Sequence, residues 1–595
     1  MFRFVILNIF MEISILDWSI IGSFLSVTLI IGFIVSKRSG KNTSQFFLSG
    51  RNMPWWLLGF SMVATTFSTD TPNLVTDIVR SNGVSGNWVW WVFLLTGLLT
   101  VFIYAKLWRR SEVKTDIEFY SLRYSGKEAR FLRAFRALYL GVIFNVLAMA
   151  GISLAAIKIG QVMLGLTPLE TIGIASLLTV IFSTLGGFRG VVYTDFLLFF
   201  LAIIGSIAAT IYIVNLPEIG GVKSLINHPN VANKISMFPD LKNKEQLIVL
   251  FIIPLSVQWW SSWYPGSEPG GGGYVAQRML AAKNEKHAIS ATFFFNIMHY
   301  ALRPWPWILI ALASLVIYPD LASLKEAFPL ISDDKLGHDI AYSAMLTKLP
   351  VGLLGIVLTS LIAAYMSTIS THLNWGSSYI VNDFYKQQIN PNASEEELVK
   401  IGRFSTILLM CFSALLALTL TNALQLFDFI IMFGAGTGLI FILRWFWWRI
   451  NAWSEISAMI ISGLISILFN VQSISCYLFN QDGIFPTYMK YPLIVIITTL
   501  GWLLVTFITP PENKKTLLNF YKKIKPAGPG WICVSQGYKR QKESISSGII
   551  EMLLATIGIY SLLFATGYFI YGVYDIAILL LILTIFCSCI YYELF

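Results

Sequence analysis

Two stretches of this chain place oxygen-bearing side chains inside apolar segments. The first is Leu361–Asp383, LIAAYMSTISTHLNWGSSYIVND, where Ser367, Thr368, Ser370 and Thr371 fall within five residues. Helical spacing sets Ala364, Ser367 and Thr368 at i, i+3 and i+4, and Ser367, Ser370 and Thr371 repeat the pattern one turn on. Hydroxyls and freed backbone carbonyls are hard, uncharged ligands suited to Na⁺. The alternative is that these hydroxyls bond to the carbonyl one turn back, or let two helices pack closely. The second stretch is Ala64–Thr71, ATTFSTDT, six of whose eight residues are polar. That composition suits a broken helix whose carbonyls line a cavity. Asp70 inside a span is costly unless paired or wet, which marks it as a functional candidate. Its alternative role is structural, at a helix start capped by Ser68.

A third feature is GGFRGVVYTD at 186–195, a glycine-rich turn that closes one span and opens the next. Asp195 either caps the new helix or faces Ser370 and Thr371 and lends a cation a formal negative charge.

The elements that must position these residues follow from composition. The chain has 595 residues, 56% hydrophobic and 12% charged, against about 25% charged in soluble domains. It is therefore a polytopic membrane protein. The net charge of +10 is not a nucleic-acid signature, because the basic residues cluster between apolar spans. Cys411, Cys476, Cys533, Cys587 and Cys589 show no metal-type spacing and read as small apolar residues. Met11 opens a second plausible N-terminus, and no small-residue cleavage site precedes the first span.

About fifteen stretches have the length and apolarity of a transmembrane helix. They lie near 18–36, 55–79, 87–105, 137–163, 169–187, 192–214, 247–266, 287–318, 342–382, 404–422, 424–443, 455–475, 491–509, 548–572 and 575–592. The loops 106–136 and 510–547 are strongly basic and fall on one side, with 37–51, 278–286 and 444–449. The positive-inside rule makes that side the cytoplasm, with the N-terminus outside and the C-terminus inside. The 216–246 loop, with four lysines, dissents. Residues 1–45 read as an extra leading helix and loop, 46–450 as the core, and 451–595 as trailing helices around a basic linker, 510–547, too short for a core of its own.

The residues then carry a resemblance. GGFRGVVYTD resembles the GG-x-x-x-V-x-x-T-D signature of the solute:sodium symporter family. FFLSGRNMPWW with SMVATTFS is similar to its first core helix, YVAQRMLAAK at 274–283 to the Gln-Arg motif after core helix six, and AAYMSTISTHLN with NDFY to core helix eight. The motifs run in the family's order over roughly 20–510. The resemblance implies an all-α polytopic protein of the LeuT type, two inverted five-helix repeats with one leading and about four trailing helices. It implies a first sodium site from the carbonyls of Ala64, Phe67 and Ala364 with the hydroxyls of Ser367 and Thr368. A second sodium site, present in some members, matches Asp195, Ser367, Ser370 and Thr371.

The chain departs from the family pattern in places. Leu198 stands where members often carry Gln, and Trp90 occupies the place of a carboxylate found in the sugar-transporting branch. Helix six reads SVQWWSSWYPGSEPGGGG, with an insertion that blurs alignment. Candidate solute contacts are Thr66, Ser68 and Thr71 on helix one, Trp90 on helix two, and Gln258, Trp260 and Ser261 on helix six. His299 on helix seven and Asp428 on helix ten complete the set. Aromatic platforms suit a sugar ring, although Trp88, Trp90 and Trp91 also read as an interfacial belt.

The expected function is a sodium-coupled symporter that imports a small polar organic solute, sugar-like favoured, with amino acids or other small organic solutes as alternatives. Its partners are the solute, Na⁺ and the lipid bilayer, with no nucleic acid, and it works as a monomer. A sodium-independent facilitator or a transporter-like sensor is the competing reading. An enzyme is not expected, since His299 and His372 in the spans have no nucleophile motif beside them and SEPGGGG lacks the Lys-Ser/Thr of a phosphate loop.

Overall fold

The computed structural model describes residues 13–39, 43–261, 268–329, 331–420, 423–470, 487–535 and 544–594. Among these the chain is helical, and its only bridge is an isolated parallel one between Met53 and Ala282. Ten described helices are long and apolar enough to cross a membrane, and four shorter apolar helices stand beside them. Each stretch expected to span carries helix where it is described.

The elements that matter for the site are α1 (Ile15–Ser39), α2 (Trp55–Thr65), α3 (Asp70–Asn82), α4 (Val84–Ser111), α5 (Gly126–Leu164) and α6 (Pro168–Val214). They continue with α7 (Gly273–Ala281), α8 (Glu285–Ile317), α9 (Leu353–Ile389), α10 (Glu395–Thr419) and α11 (Ala423–Leu443). The trailing part comprises α12 (Ala452–Asn470), α13 (Thr487–Ile508), α14 (Lys514–Ile524), α15 (Ile545–Ile570) and α16 (Tyr574–Leu594).

Local chemistry explains the breaks. α6 starts with a capping box, Thr167 with Glu170, and Pro168 in the first turn. It is interrupted at Gly187, whose φ of 54° and ψ of −166° suit only glycine, so this one stretch holds two spans. The turn expected from GGFRGVVYTD is therefore present, but Asp195 lies two turns inside the second span and is not its cap. Between α2 and α3, residues 66–69 leave the helix, as the polar run ATTFSTDT requires. The cap position before α3 is Thr69, not Ser68.

The leading helix is fastened to the core. Asp17 Oδ1 accepts from Gly352 N at 2.8 Å and from Gly355 N at 2.7 Å, so a carboxylate covers the N-terminal amides of α9. The 342–382 stretch divides between the end of a short helix, Ile340–Leu346, and the long α9. Every residue of α9 from Ala363 to Tyr379 is buried.

Two trailing elements brace the core. Trp305 Nε1 on α8 donates to Leu563 O at 3.1 Å, and Tyr560 Oη on α15 donates to Trp91 O at 2.9 Å. Trp88, Trp90 and Trp91 are 3%, 9% and 0% exposed, which removes the interfacial-belt reading. The described part of the basic linker is also structured. α14 buries Leu517, Phe520, Tyr521 and Ile524, an i, i+3, i+4, i+7 stripe. Arg110 Nη1 donates to Ile524 O at 2.9 Å, and Trp531 Nε1 donates to Trp445 O at 2.8 Å. Too short for its own core, the linker borrows the core of the bundle.

Candidate ion and solute site

The break between α2 and α3 lies against the middle of α9. Thr368 Oγ1 lies 2.9 Å from Thr65 O and 3.3 Å from Phe67 O, so one hydroxyl and two freed carbonyls converge there. The structure thus brings Phe67 and Thr368 together and adds Thr65, which sequence reasoning missed. Ala364 precedes Thr368 by one turn, and Ala64 O takes the Phe67 amide at 3.1 Å. Uncharged oxygens from two helices are a donor set that fits Na⁺.

Ser367 turns to a neighbouring cluster. Its hydroxyl donates to Asp195 Oδ1 at 2.5 Å, and Ser61 Oγ donates to Oδ2 at 2.5 Å. Arg278 Nη2 stands 3.5 Å from Asp195, with both side chains fully buried. Its Nε donates to Ser61 Oγ at 3.1 Å, and its Nη2 to Thr65 Oγ1 at 2.9 Å and Thr371 Oγ1 at 3.0 Å. Of the residues matching a second sodium site, Ser367 meets Asp195 directly and Thr371 meets it through Arg278. Ser370 instead donates to Ser367 O at 3.0 Å, the back-bonding alternative. Arg278 belongs to the Gln-Arg motif, yet its approach to Asp195 could not be read from spacing, because the pair is 83 residues apart.

A cavity opens on the other side of the break. Of the expected solute contacts, Thr66, Ser68, Thr71, Trp90 and His299 line it. His299 Nδ1 is 3.1 Å from Thr66 Oγ1. Trp90 is fixed by its own Nε1–H to Asn87 Oδ1 at 2.8 Å and packs against Tyr300 and His299. Gln258, Trp260 and Ser261 do not line it. Gln258 donates to Val89 O at 2.9 Å, Trp260 donates to Ala435 O at 3.2 Å, and Ser261 is buried. Helix six is distorted here by π-type turns that begin at Pro254. The side chain of Asp428 lies outside the described residues. Asp70, Tyr300 and Arg303 also line the cavity. Arg303 was missed although its signal was present, an ionisable residue in the apolar run ALRPWPWILI.

Both ends of the bundle are tied. At the end carrying residues 106–136, Glu268 pairs with Arg136 and with Arg444 (3.2 Å), and Glu455 pairs with Arg444 (3.3 Å) and bonds to Tyr124. Asp383 accepts from Arg133 at 2.7 Å and from Thr115 at 2.6 Å, and Asp116 accepts from Gly273 N at 2.8 Å and from Tyr379. At the opposite end, Lys158 pairs with Asp339 at 2.7 Å. Arg80 donates to His338 Nδ1 at 3.2 Å and to Ser314 at 2.9 Å, and Lys234 reaches the carbonyls of Arg80 and Ser81 at 2.8 Å.

Residues 46–462 match the model of the sodium:solute symporter family. The chain belongs to this family. A sodium/glucose cotransporter of Vibrio parahaemolyticus is 25% identical over 493 residues, covering 80% of this chain and 88% of that protein. A sodium/myo-inositol cotransporter of Bos taurus is 26% identical over 585 residues, covering 89% and 79%. The solved structure of a Na⁺-coupled sialic acid symporter in a substrate-bound outward-open state superimposes with a TM-score of 0.66 at 19% identity, over 84% of this chain and 99% of that one. The fold is thus of the LeuT type, and the chain is a multi-pass, sodium-coupled symporter.

Proposed function

We propose that this symporter imports a small polar organic solute, sugar-like in character, by alternating access, and that the coupling ion binds where Thr368 meets the break of helix one. The observation that carries the reading is the convergence of Thr368 Oγ1 on the Thr65 and Phe67 carbonyls, beside the cavity lined by Thr66, Ser68, Thr71, Trp90 and His299. The ion bridges α2–α3 to α9, and the solute occupies the same break. Each therefore stabilises the conformation that the other requires, which is the linkage symport needs. The membrane potential contributes about 2.3 kcal/mol per charge per 100 mV. Trp90 supplies a ring face and the threonines supply hydroxyls, a surface suited to a sugar-like solute.

Asp195 is balanced by Arg278, so the reading couples transport to the Thr368 site first. A second ion at Asp195 would need Arg278 to withdraw. The reading takes the N-terminus as outside and the C-terminus as cytoplasmic, on the strength of the basic loops, and takes the monomer as the working unit. The relatives are transporters, and the chain is read as a transporter without enzymatic activity.

The test is sodium dependence. Thr368→Ala removes the one side-chain oxygen that meets both carbonyls. Half-maximal uptake in proteoliposomes should then need about tenfold more sodium, a loss of ~1.4 kcal/mol of ion binding. An unchanged sodium curve in the Ser367→Ala/Thr368→Ala double variant would remove the ion from this position.

A further inference from the structure

The cavity holds two opposite formal charges that do not meet. Asp70 and Arg303 are the only Asp, Glu, Lys or Arg among its described lining residues. Arg303 is 2% exposed and pinned by one arm, Nη1 to Val63 O at 3.1 Å and to Thr66 Oγ1 at 2.9 Å, with its plane over Trp307 at 5.2 Å. Its Nε has no hydrogen-bond partner. Asp70 opens α3, and its Oδ1 is buried without a partner. No ion pair joins the two, because Arg303 is tied to α2 while Asp70 belongs to α3 beyond the break. Buried polar atoms left unmet in a cavity are atoms for a ligand to meet. Thr66, Ser68 and Thr71 add hydrogen-bonding capacity but no charge.

Resting on the reading of this cavity as the solute site, we infer that Asp70 and Arg303 act together as a charge filter. The transported solute is net neutral. It offers a donor, hydroxyl or ammonium, to Asp70 and an acceptor, hydroxyl or carboxylate, to Arg303, with an apolar face on Trp90. A monoanion satisfies Arg303 but meets the Asp70 carboxylate across a confined space, and a monocation meets the converse. A polyol bridges the pair by hydrogen bonds. A zwitterion bridges it by charge. Both leave the cavity neutral.

The experiment uses the purified full-length chain in saturating sodium and measures binding by thermal shift for two ring frames, each in three charge states. The polyol frame is glucose, glucuronate and glucosamine. The zwitterion frame is proline, tetrahydrofuran-2-carboxylate and pyrrolidine. Wild type should bind the neutral member of one frame about tenfold more tightly than either charged member, and the frame that binds identifies the source of the chemistry. Asp70→Asn should move the anion-to-neutral ratio about tenfold towards the anion, and Arg303→Gln should move the cation-to-neutral ratio equally towards the cation. Asp70→Glu and Arg303→Lys keep the charges and should keep the wild-type order. A charged member preferred by wild type overturns the proposal without recourse to any variant. So do ratios that stay within about twofold in both neutralised variants while their folding and sodium response persist. If binding follows this order but is indifferent to sodium, the coupling reading falls and the charge filter stands.

Discussion

At the end of the bundle that carries residues 106–136, Glu268, Asp383 and Glu455 are buried and each faces an arginine, with the half-buried Asp116 beside them. Arg136 and Glu268 are each 4% exposed, and Arg444 and Glu455 are 3% and 0%. Among the described residues, the opposite end is held by the Lys158–Asp339 pair, whose Asp339 is 19% exposed, by hydrogen bonds from Arg80 and Lys234 to neutral partners, and by an exposed Lys325–Asp333 pair within one loop. Both ends must open in a transport cycle, yet the chemistry holding them differs. A buried network loses little to water while closed, but opening it requires several ions to be rehydrated together. A single, partly wetted pair parts at small cost. On the alternating-access reading, the two ends are therefore unequal latches, with the 106–136 end the stiffer.

The largest expected effect follows from Glu268. Glu268→Gln leaves Arg136 facing no carboxylate and Arg444 with Glu455 alone. Removing one partner of such a buried pair costs about 3–5 kcal/mol. The melting temperature of the purified variant should fall clearly. A melting temperature equal to wild type would mean that the network does not hold this end shut.

The pH response of the other end comes next. Burial, together with the nearby positive charges of Arg80 and Lys234, holds the His338 imidazole below its ordinary value of 6.5. A histidine lowered in the closed arrangement is neutral there and gains its proton on opening. Closure is thus fully favoured above pH 6.5 and weakens as pH falls below it towards the depressed value. Cysteine accessibility at Ala311, buried one turn before Ser314 on α8, should rise as pH is lowered from 7.5 to about 5. His338→Gln should flatten the dependence. Accessibility that rises with increasing pH would reverse the assignment.

The smallest effect belongs to Lys158→Met. With Asp339 partly in water, losing the pair should cost no more than about 1 kcal/mol and shift the melting temperature little. A loss as large as that of Glu268→Gln would erase the contrast between the ends.

The sequence made much of this architecture legible, and the reasons are physical. Spans follow from length and apolarity, so each expected stretch carries helix. The break at 66–69 follows from a polar run that a lipid-facing helix could not hold. Thr368 was readable because helical periodicity groups it with its ligand neighbours. What escaped depended on pairing across the fold. Ser61 on α2 and Arg278 on α7 converge on Asp195 of α6, with Thr65 one turn after Ser61 held by Arg278, and no local spacing announces that. Arg303 was visible as an intramembrane charge, but its role as the counterpart of Asp70 needs both sides of the break in view. Gln258, Trp260 and Ser261 were placed on helix six across an insertion that blurs the family pattern, and in that segment of π-type turns they fall outside the cavity lining.

The fastening of α15 to the core reaches further than bracing. Its Tyr560 holds the Trp91 carbonyl on α4, and its Leu563 carbonyl holds Trp305 on α8. Those two helices also carry Trp90 and Arg303, which both line the cavity. The spacing of the walls is thus referenced to a ruler outside the five-plus-five repeats, on a helix that never touches the solute. Substitutions on α15 should therefore shift solute preference while every residue lining the cavity stays unchanged.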